Sequence, residues 1–537
     1  MVSQAMVTAP ALRKPVNKWL VTLSVTFGTL MGTIDSSIVN VATPHLRGAM
    51  GATVEEITWV TTGFVIANVV VMPLTAFLGR FFGQKRVYMA AFALFVVGSG
   101  LCGLARSLPA LVAFRLVQGL GAGALQPTEQ AILRQTFPPK EQGMAMALFG
   151  MAVVLGPAFG PSLGGYIVDN HSWVWIFYIN LPVGALALFM VHRFVHEPED
   201  IRAANLAAAA MQRKHLDWQG IALLAVAVST LQYVLEEGTR NDWFQSKVIS
   251  ACAFVAAVTG AAFVIRELTA RVPAVNLTLF KDSVFTSGTL VGAVMFAMLL
   301  SLTFLLPVFM QELLGFTAVE AGLALMPRSL MMMVAMPIVG RVYNRVSPRL
   351  TVAFGVILFS ISAYMMSHYT LNTTAGDVVN VLLIQGVAFS CLFIPLTTVA
   401  LARIPRHQLA DATGLNSLLR QIGGSLGLAV FASLIPRYAI QAKAAMAAHL
   451  TPGNPALTMR LASIQRLLQS KGYDAASANT AAGRFLGGIV TREAMVLSFE
   501  RLFLLSGIVF LFVLPLLLLL KTPDHNAGPK PDVHVEI

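Results

Sequence analysis

Trp19-Leu-Val-Thr-Leu-Ser-Val-Thr-Phe-Gly-Thr-Leu-Met-Gly-Thr-Ile-Asp35-Ser-Ser-Ile-Val-Asn-Val41 is an apolar run broken by a single carboxylate. A helix over it is about as long as a hydrocarbon core is thick. An acid at that depth costs about 3 kcal/mol on insertion scales and is seldom there for packing. Asp35 therefore reads as a proton or ion site facing a cavity, which makes the chain a candidate transporter. The alternative is a carboxylate neutralised by a buried arginine that only fixes helix packing.

Composition agrees. Of 537 residues, 56% are hydrophobic and 12% charged, with mean hydropathy +0.73. Soluble globular proteins do not have this balance. The net charge of +12 is spread over short loops between apolar runs, not gathered in a stripe, which argues against nucleic-acid binding. Cys102, Cys252 and Cys391 fall inside apolar runs without metal-ligand spacing, and no metal site is expected. Arg13, Lys14 and Lys18 precede the first run as in a signal peptide, but its length marks it as an uncleaved span.

Fourteen spans follow from the hydropathy, at about 19–41, 58–78, 87–104, 109–132, 143–168, 174–192, 217–235, 247–265, 285–311, 319–339, 350–368, 378–402, 411–436 and 499–520. With the N-terminus in the cytoplasm, the cytoplasmic segments hold twenty-two Lys and Arg, whereas the short outer loops hold only Arg47, Arg106, Arg240 and Lys247. That asymmetry places both termini in the cytoplasm. The alanine-rich stretch Ala203–Ala210 reads as a linker. The long outer segment Arg437–Ser498 carries a helical pattern at Leu461, Ile464, Leu467 and Leu468 after a Pro/Gly break. It is expected to form an ordered outer hairpin or helical flap that serves as a docking surface; a lid or a solvated spacer is the alternative.

A repeat is also visible. Leu78-Gly-Arg-Phe-Phe-Gly-Gln-Lys-Arg86 follows span 2, and Gly340-Arg-Val-Tyr-Asn-Arg-Val-Ser-Pro-Arg349 follows span 10. Both are basic turns on the cytoplasmic side, eight spans apart. Two six-span bundles with spans 7 and 8 inserted between them account for that offset, and parallel repeats of this kind enclose a cavity.

Three arginines lie within spans: Arg115, Arg328 and Arg420. Asp35 and Arg115 are each about six residues, roughly 9 Å, below the outer ends of their helices and are plausible partners. Arginine proximity and burial push a carboxylate in opposite directions, the balance that proton coupling needs. Glu129 reads as interfacial or as a cavity residue. The run Gly156-Pro157-Ala-Phe-Gly160-Pro161-Ser-Leu-Gly164-Gly165 reads as a bent helix with a smooth face turned to a helix of the other half. Met326, Met331, Met332, Met333 and Met336 suit an adaptable apolar surface or lipid-facing packing.

At these residues the chain resembles the major facilitator superfamily, in particular its fourteen-span drug:proton antiporters. Thr33-Ile-Asp35-Ser-Ser-Ile-Val-Asn40-Val-Ala-Thr-Pro44 is similar to the first-span motif, Arg115-Leu-Val-Gln118-Gly119 to the span 4 motif, and Gly160-Pro161-Ser-Leu-Gly164-Gly165 to the span 5 antiporter motif. Trp173-Val-Trp175-Ile-Phe177-Tyr-Ile-Asn180-Leu-Pro182-Val-Gly184 resembles the span 6 signature. The long outer loop resembles that of EmrB-like pumps. The chain departs from the family at Arg80, where an Asp usually helps to lock one state; Gly83, Lys85 and Arg86 remain.

The resemblance implies an all-α integral membrane protein of the major facilitator fold, with two six-helix bundles and two inserted spans. The expected division is a cytoplasmic N-terminus (1–18), a first bundle (19–192), a linker with spans 7 and 8 (193–284), a second bundle (285–520, with the outer loop 437–498) and a tail (521–537). Asp35 and Arg115 would couple protons. Asn40, Gln118, Gln126, Arg328, Asn416 and Arg420 would line the substrate cavity. Gly83, Lys85 and Arg86, with Gly156, Pro157, Gly160, Pro161, Gly164 and Gly165, would form the conformational motifs. The implied function is proton-coupled efflux of hydrophobic or amphipathic drugs from the bacterial inner membrane, with no cofactor beyond the proton motive force and no enzyme chemistry. The implied partners are drugs, protons, an EmrA-like periplasmic membrane-fusion adaptor and a TolC-like outer-membrane channel. The alternative is export of one lipid, fatty acid, siderophore or metabolite on the same fold.

Overall fold

The computed structural model describes residues 17–214, 217–451 and 453–515. Most of the N-terminal segment (1–16), the end of the last span (516–520) and the tail (521–537) lie outside the described residues, and with them Arg13, Lys14, Lys521 and Lys530.

The first bundle contains α1 (Lys18–Met50), α2 (Val54–Phe82), α3 (Gln84–Gly103), α4 (Leu108–Thr136), α5 (Gln142–Asn170) and α6 (Trp175–Phe194). Next come α7 (Glu199–Lys214), α8 (Trp218–Glu237) and α9 (Lys247–Thr269). The second set is α10 (Ser283–Glu312), α11 (Ala318–Val342), α12 (Pro348–Met366), α13 (Ala375–Ala400), α14 (Leu409–Ala447), α15 (Pro455–Ser470) and α16 (Ala475–Leu511). The end where α1 begins is called the near end below, and the opposite end the far end.

Thirteen of the described helices are long and apolar enough to cross a membrane, by length and composition. The set omits α1, whose Asp35, threonines and serines dilute its hydropathy although it runs 33 residues. With α1, each of the fourteen expected spans falls on a helix among the described residues. Local chemistry sets their ends. Asn17 caps α1 by accepting from the Trp19 amide, and Gly51 closes it in the left-handed region at φ 60°. Thr53 and Glu56, Thr317 and Glu320, and Thr374 and Asp377 form capping boxes at α2, α11 and α13. Gly83, at φ 89°, makes the tight turn between α2 and α3.

The packing repeats. α1 lies against α5 as α10 lies against α14; α2 and α3 pack on α4 as α11 and α12 pack on α13. Glycines make the α1–α5 and α10–α14 approaches possible. A Cβ at Gly156 or Gly160 would overlap Thr33 or Ser37 of α1, and one at Gly423 or Gly427 would overlap Ala293 or Ala297 of α10. The smooth face of α5 thus meets α1 in its own half, not a helix of the other half as expected from sequence. Between the halves, α5 packs on α11 and α2 on α14, with Gly143 and Gly340 in close approach at the near end. α8 packs on α9, α2 and α14, while α9 is largely exposed on its outward faces.

One segment differs from the sequence reading, and a second forms the expected hairpin but buries most of the apolar face expected to be free. The alanine-rich stretch read as a linker belongs to α7, which lies against α2 at the near end; alanine is the strongest helix former. The segment 437–498 is mostly a continuation of α14 and α16. These helices have 39 and 37 residues, and helices of that length run about 55–60 Å, roughly twice a hydrocarbon core. Beyond the far end they are joined through α15. Ile464 of α15 is buried, Leu461 and Leu468 are half-buried, and only Leu467 of the predicted apolar face stays exposed. α15 packs on α16, so most of that face is spent inside the hairpin.

Candidate functional site

Asp35 on α1 is fully buried and Arg115 on α4 is 1% exposed. Arg115 Nη1 donates to Asp35 Oδ2 at 2.6 Å, far closer than matched depth alone requires. Gln118 Nε2 and Asn180 Nδ2 donate to Asp35 Oδ1 at 2.8 and 2.9 Å. The guanidinium in turn donates to the Val60 carbonyl and to Gln118 Oε1, and it lies over the Phe64 ring at 4.1 Å. Asn180 also donates to Ser99 Oγ, which donates to the Phe177 carbonyl. Five helices, α1 to α4 and α6, thus hold one carboxylate through charge-assisted bonds.

This network does not face the central cavity. The cavity, about 370 Å³, is walled by the next residues along α1, including Thr33, Ser36 and Asn40, and by α2, α4, α5, α10, α11 and α14. Asp35 points to the other side of α1, into the first bundle. The expectation that it faces the cavity is corrected: on a helix, neighbours one residue apart differ by about 100° in direction.

Among the predicted cavity residues, Asn40, Gln126 and Arg328 line it. Arg420 lies in a small recess at its wall shared with Gln126 and Gln421. Arg328 donates to Thr303 and Gln385, and Arg420 sits over Phe296 and Phe393 at 5.4 and 5.3 Å. Arg420 Nε and Nη2 are buried without hydrogen-bond partners. No carboxylate is present among the described residues of the cavity or the recess. Gln118 is not a cavity residue, because it follows Arg115 at i+3 onto the ion-pair face. Asn416 is not one either. It is fully buried on α14 one turn nearer the near end than Arg420, where the halves close. Met332 lines the cavity, while Met336 packs at Gly150 and Met331 at Gly386.

The near end is closed by bonds between the halves. Arg80 Nη1 donates to both oxygens of Asp411, Arg134 Nη2 to the Leu401 carbonyl, and Arg406 Nη2 to the Gln135 carbonyl. The conformational motifs adjoin this closure. Lys85 Nζ donates to the His192 carbonyl, and Glu197 accepts from the Gln84 amide beside Gly83; with Arg86 they border a second hollow of about 420 Å³ at the near end. On α5, Pro157 lines the cavity, Gly164 adjoins Ile38, the space beside Gly165 is open, and Pro161 faces Gly322 of α11. Sequence reasoning missed Asn180, Ser99 and Asp411. Asn180 was in view as part of a motif, but nothing in the sequence says which way it faces.

Two packed helical sets around a central cavity, closed at one end and carrying a buried acid–arginine pair, define a multi-pass membrane transporter rather than an enzyme. The chain belongs to the Major Facilitator Superfamily, whose family model matches residues 25–428. It is 34% identical over 505 residues to the multidrug export protein EmrB of Haemophilus influenzae, covering 94% of this chain and 96% of that one. It is 33% identical over 519 residues to the fatty acid resistance protein FarB of Neisseria gonorrhoeae, covering 97% and 99%. The fold is similar to that of the human organic anion transporter MFSD10, with a TM-score of 0.58 at 15% identity over 93% of this chain and 100% of that one. It is also similar to that of the proton:xylose symporter XylE, with a TM-score of 0.57 at 12% identity over 94% and 99%.

Proposed function

We propose that the chain is a proton-coupled exporter of hydrophobic or amphipathic compounds, drugs included, that works by alternating access from a bacterial inner membrane. The observation that carries this reading is the buried Asp35–Arg115 pair, set just behind the cavity wall on the helix that lines it. A proton arriving at Asp35 neutralises the carboxylate and releases Arg115 and the two amide donors; the helices they tie together are then free to move. The driving force is about 2.3 kcal/mol per charge per 100 mV. The near end, rich in Lys and Arg, faces the cytoplasm in this reading. The relatives named as multidrug export proteins support the drug range.

The far-end hairpin supports assembly with a periplasmic adaptor and an outer-membrane channel, because two helices that continue well past the bilayer serve no spanning purpose. A second reading, export of one class of amphipathic anion such as a fatty acid, is favoured by the cavity itself. It is largely apolar, with guanidinium groups in and beside it and no acid among the described residues that line it. The relative named for fatty acid resistance points the same way.

The test is transport in proteoliposomes under an imposed pH gradient, with an amphipathic dye and with dodecanoate as probes. Wild type should move at least one probe against its gradient, and Asp35→Asn should not. Gradient-driven transport by well-folded Asp35→Asn would refute the coupling.

A further inference from the structure

Glu129 on α4 is the other carboxyl buried inside the first bundle. The sequence left it at the membrane interface or the cavity, but it is fully buried and lines neither. Thr26 of α1 donates to its Oε1 at 3.1 Å, while Oε2 is buried without a hydrogen-bond partner. α1 also brings Thr29, whose Oγ1 is likewise buried without one, and α3 brings Tyr88, whose hydroxyl donates to the Val25 carbonyl. α2, α5 and α14, which also pack on α4, place no ionised side chain within ion-pair distance among the described residues. An ionised carboxylate so placed is costly, and loading a proton onto Oε2 removes the cost.

Its position matters as much as its burial. Thr29 and Gln126, each about one turn from the Thr26–Glu129 contact, line the cavity. Asp35 lies nine residues beyond Thr26 along α1, about 14 Å. Glu129 therefore sits beyond the near-side edge of the cavity, on the continuation of the stripes of α1 and α4 that line it, whereas Asp35 lies on the opposite face of α1. The helix end that carries Glu129 is also tied to the other half, since Arg134 donates to the Leu401 carbonyl and Gln135 accepts from Arg406. Opening the near end must break those bonds and move that end of α4, which admits water toward Glu129.

Resting on the proton-coupled reading above, we propose that Glu129 is a second proton-binding residue of the transport cycle, loaded while the near end is closed and discharged to water when it opens. The step is an acid–base one: the Oε2–H bond breaks and the proton passes to near-side water.

Infrared difference spectroscopy of the purified full chain in liposomes tests the site without any substrate. Wild type should show a protonated-carboxyl band that Glu129→Gln removes and Asp35→Asn keeps. Its hydrogen–deuterium exchange should be faster by about a hundredfold in Asp411→Asn, the factor that follows if unlocking shifts the opening equilibrium by about 3 kcal/mol. Dodecanoate transport under a pH gradient supplies the second readout. Glu129→Gln should lose about a hundredfold of the driven rate, the lower range for removing a positioned proton carrier, and Glu129→Asp should restore part of it. A wild-type spectrum without the band overturns the proposal, whatever the variants do. Loss of driven transport in Asp35→Asn but not in Glu129→Gln overturns it and leaves the coupling reading standing. No loss in either variant removes the coupling reading itself.

Discussion

Arg80 of α2 and Asp411 of α14 join the two halves at the near end, with Arg80 Nη1 2.7 Å from both carboxylate oxygens. Asp411 is 4% exposed and Arg80 16%, so the pair is nearly dry. The lock that Arg80 put in doubt in the sequence is present: Arg80 finds its acid in the other half, at Asp411. Breaking a buried pair by removing one partner costs about 3 kcal/mol. Asp411→Asn should therefore favour near-end opening, seen as faster labelling from the near side of a cysteine at Gln421 in a cysteine-free background. The charge swap Arg80→Asp with Asp411→Arg should return labelling toward the parental rate.

Arg115 is expected to matter for folding as well as for transport. Arg115→Ala leaves Asp35 buried with only amide donors, a loss of about 3–5 kcal/mol. The double variant Asp35→Asn with Arg115→Gln removes both charges and should unfold at a higher temperature than Arg115→Ala in detergent. Equal melting temperatures would mean that the pair contributes little beyond its packing.

The α1–α5 contact predicts a contrast within one motif. Gly160→Val should reduce folded yield sharply, because even a Cβ there overlaps Ser37. Gly165→Ala meets open space and should be neutral or slightly stabilising, since alanine is favoured over glycine in a helix by about 1 kcal/mol. Size-exclusion profiles of both variants check this.

Cavity charge should govern substrate choice. Arg328→Gln and Arg420→Gln together should weaken export of dodecanoate by about tenfold or more, a charged hydrogen bond contributing about 1.5–3 kcal/mol, while a neutral dye is affected less. Parallel transport assays on the two probes decide it.

The far-end hairpin separates two roles by residue. Ile464→Asp buries a charge between α15 and α16 and should loosen the hairpin, detected by proteolysis near residue 470. Leu467→Asp changes an exposed position, 58% accessible, and should leave the hairpin intact while reducing capture of a periplasmic adaptor. Replacing residues 448–474 by a Gly/Ser connector should abolish capture with normal insertion.

Much of this was legible in the sequence, and the failures share a cause. Apolar run length located the fourteen spans, and equal distance from helix ends paired Asp35 with Arg115. Run length could not see α14 and α16 continue beyond the bilayer, because their outer turns are built from polar helix formers such as Gln441, Lys443 and Arg484. The resemblance put Gln118 and Asn416 in the cavity, but a motif match does not say which way each side chain turns. The i+3 spacing of Gln118 from Arg115 was the available signal that the two share a face. Asp411 as the partner of Arg80 could not have been found, since the two are 331 positions apart in the chain.

Because Asp35 lies behind α1 while the cavity lies in front of it, a cargo molecule in the cavity and the proton proposed for Asp35 would not compete for the same atoms. Any communication between them passes through the position of the helix that separates them. Such a pump has no need to read its cargo in detail: whatever holds that wall in place, by shape or grease alone, can ride the same stroke. Breadth of cargo then follows from the architecture, without a separate recognition group for each compound.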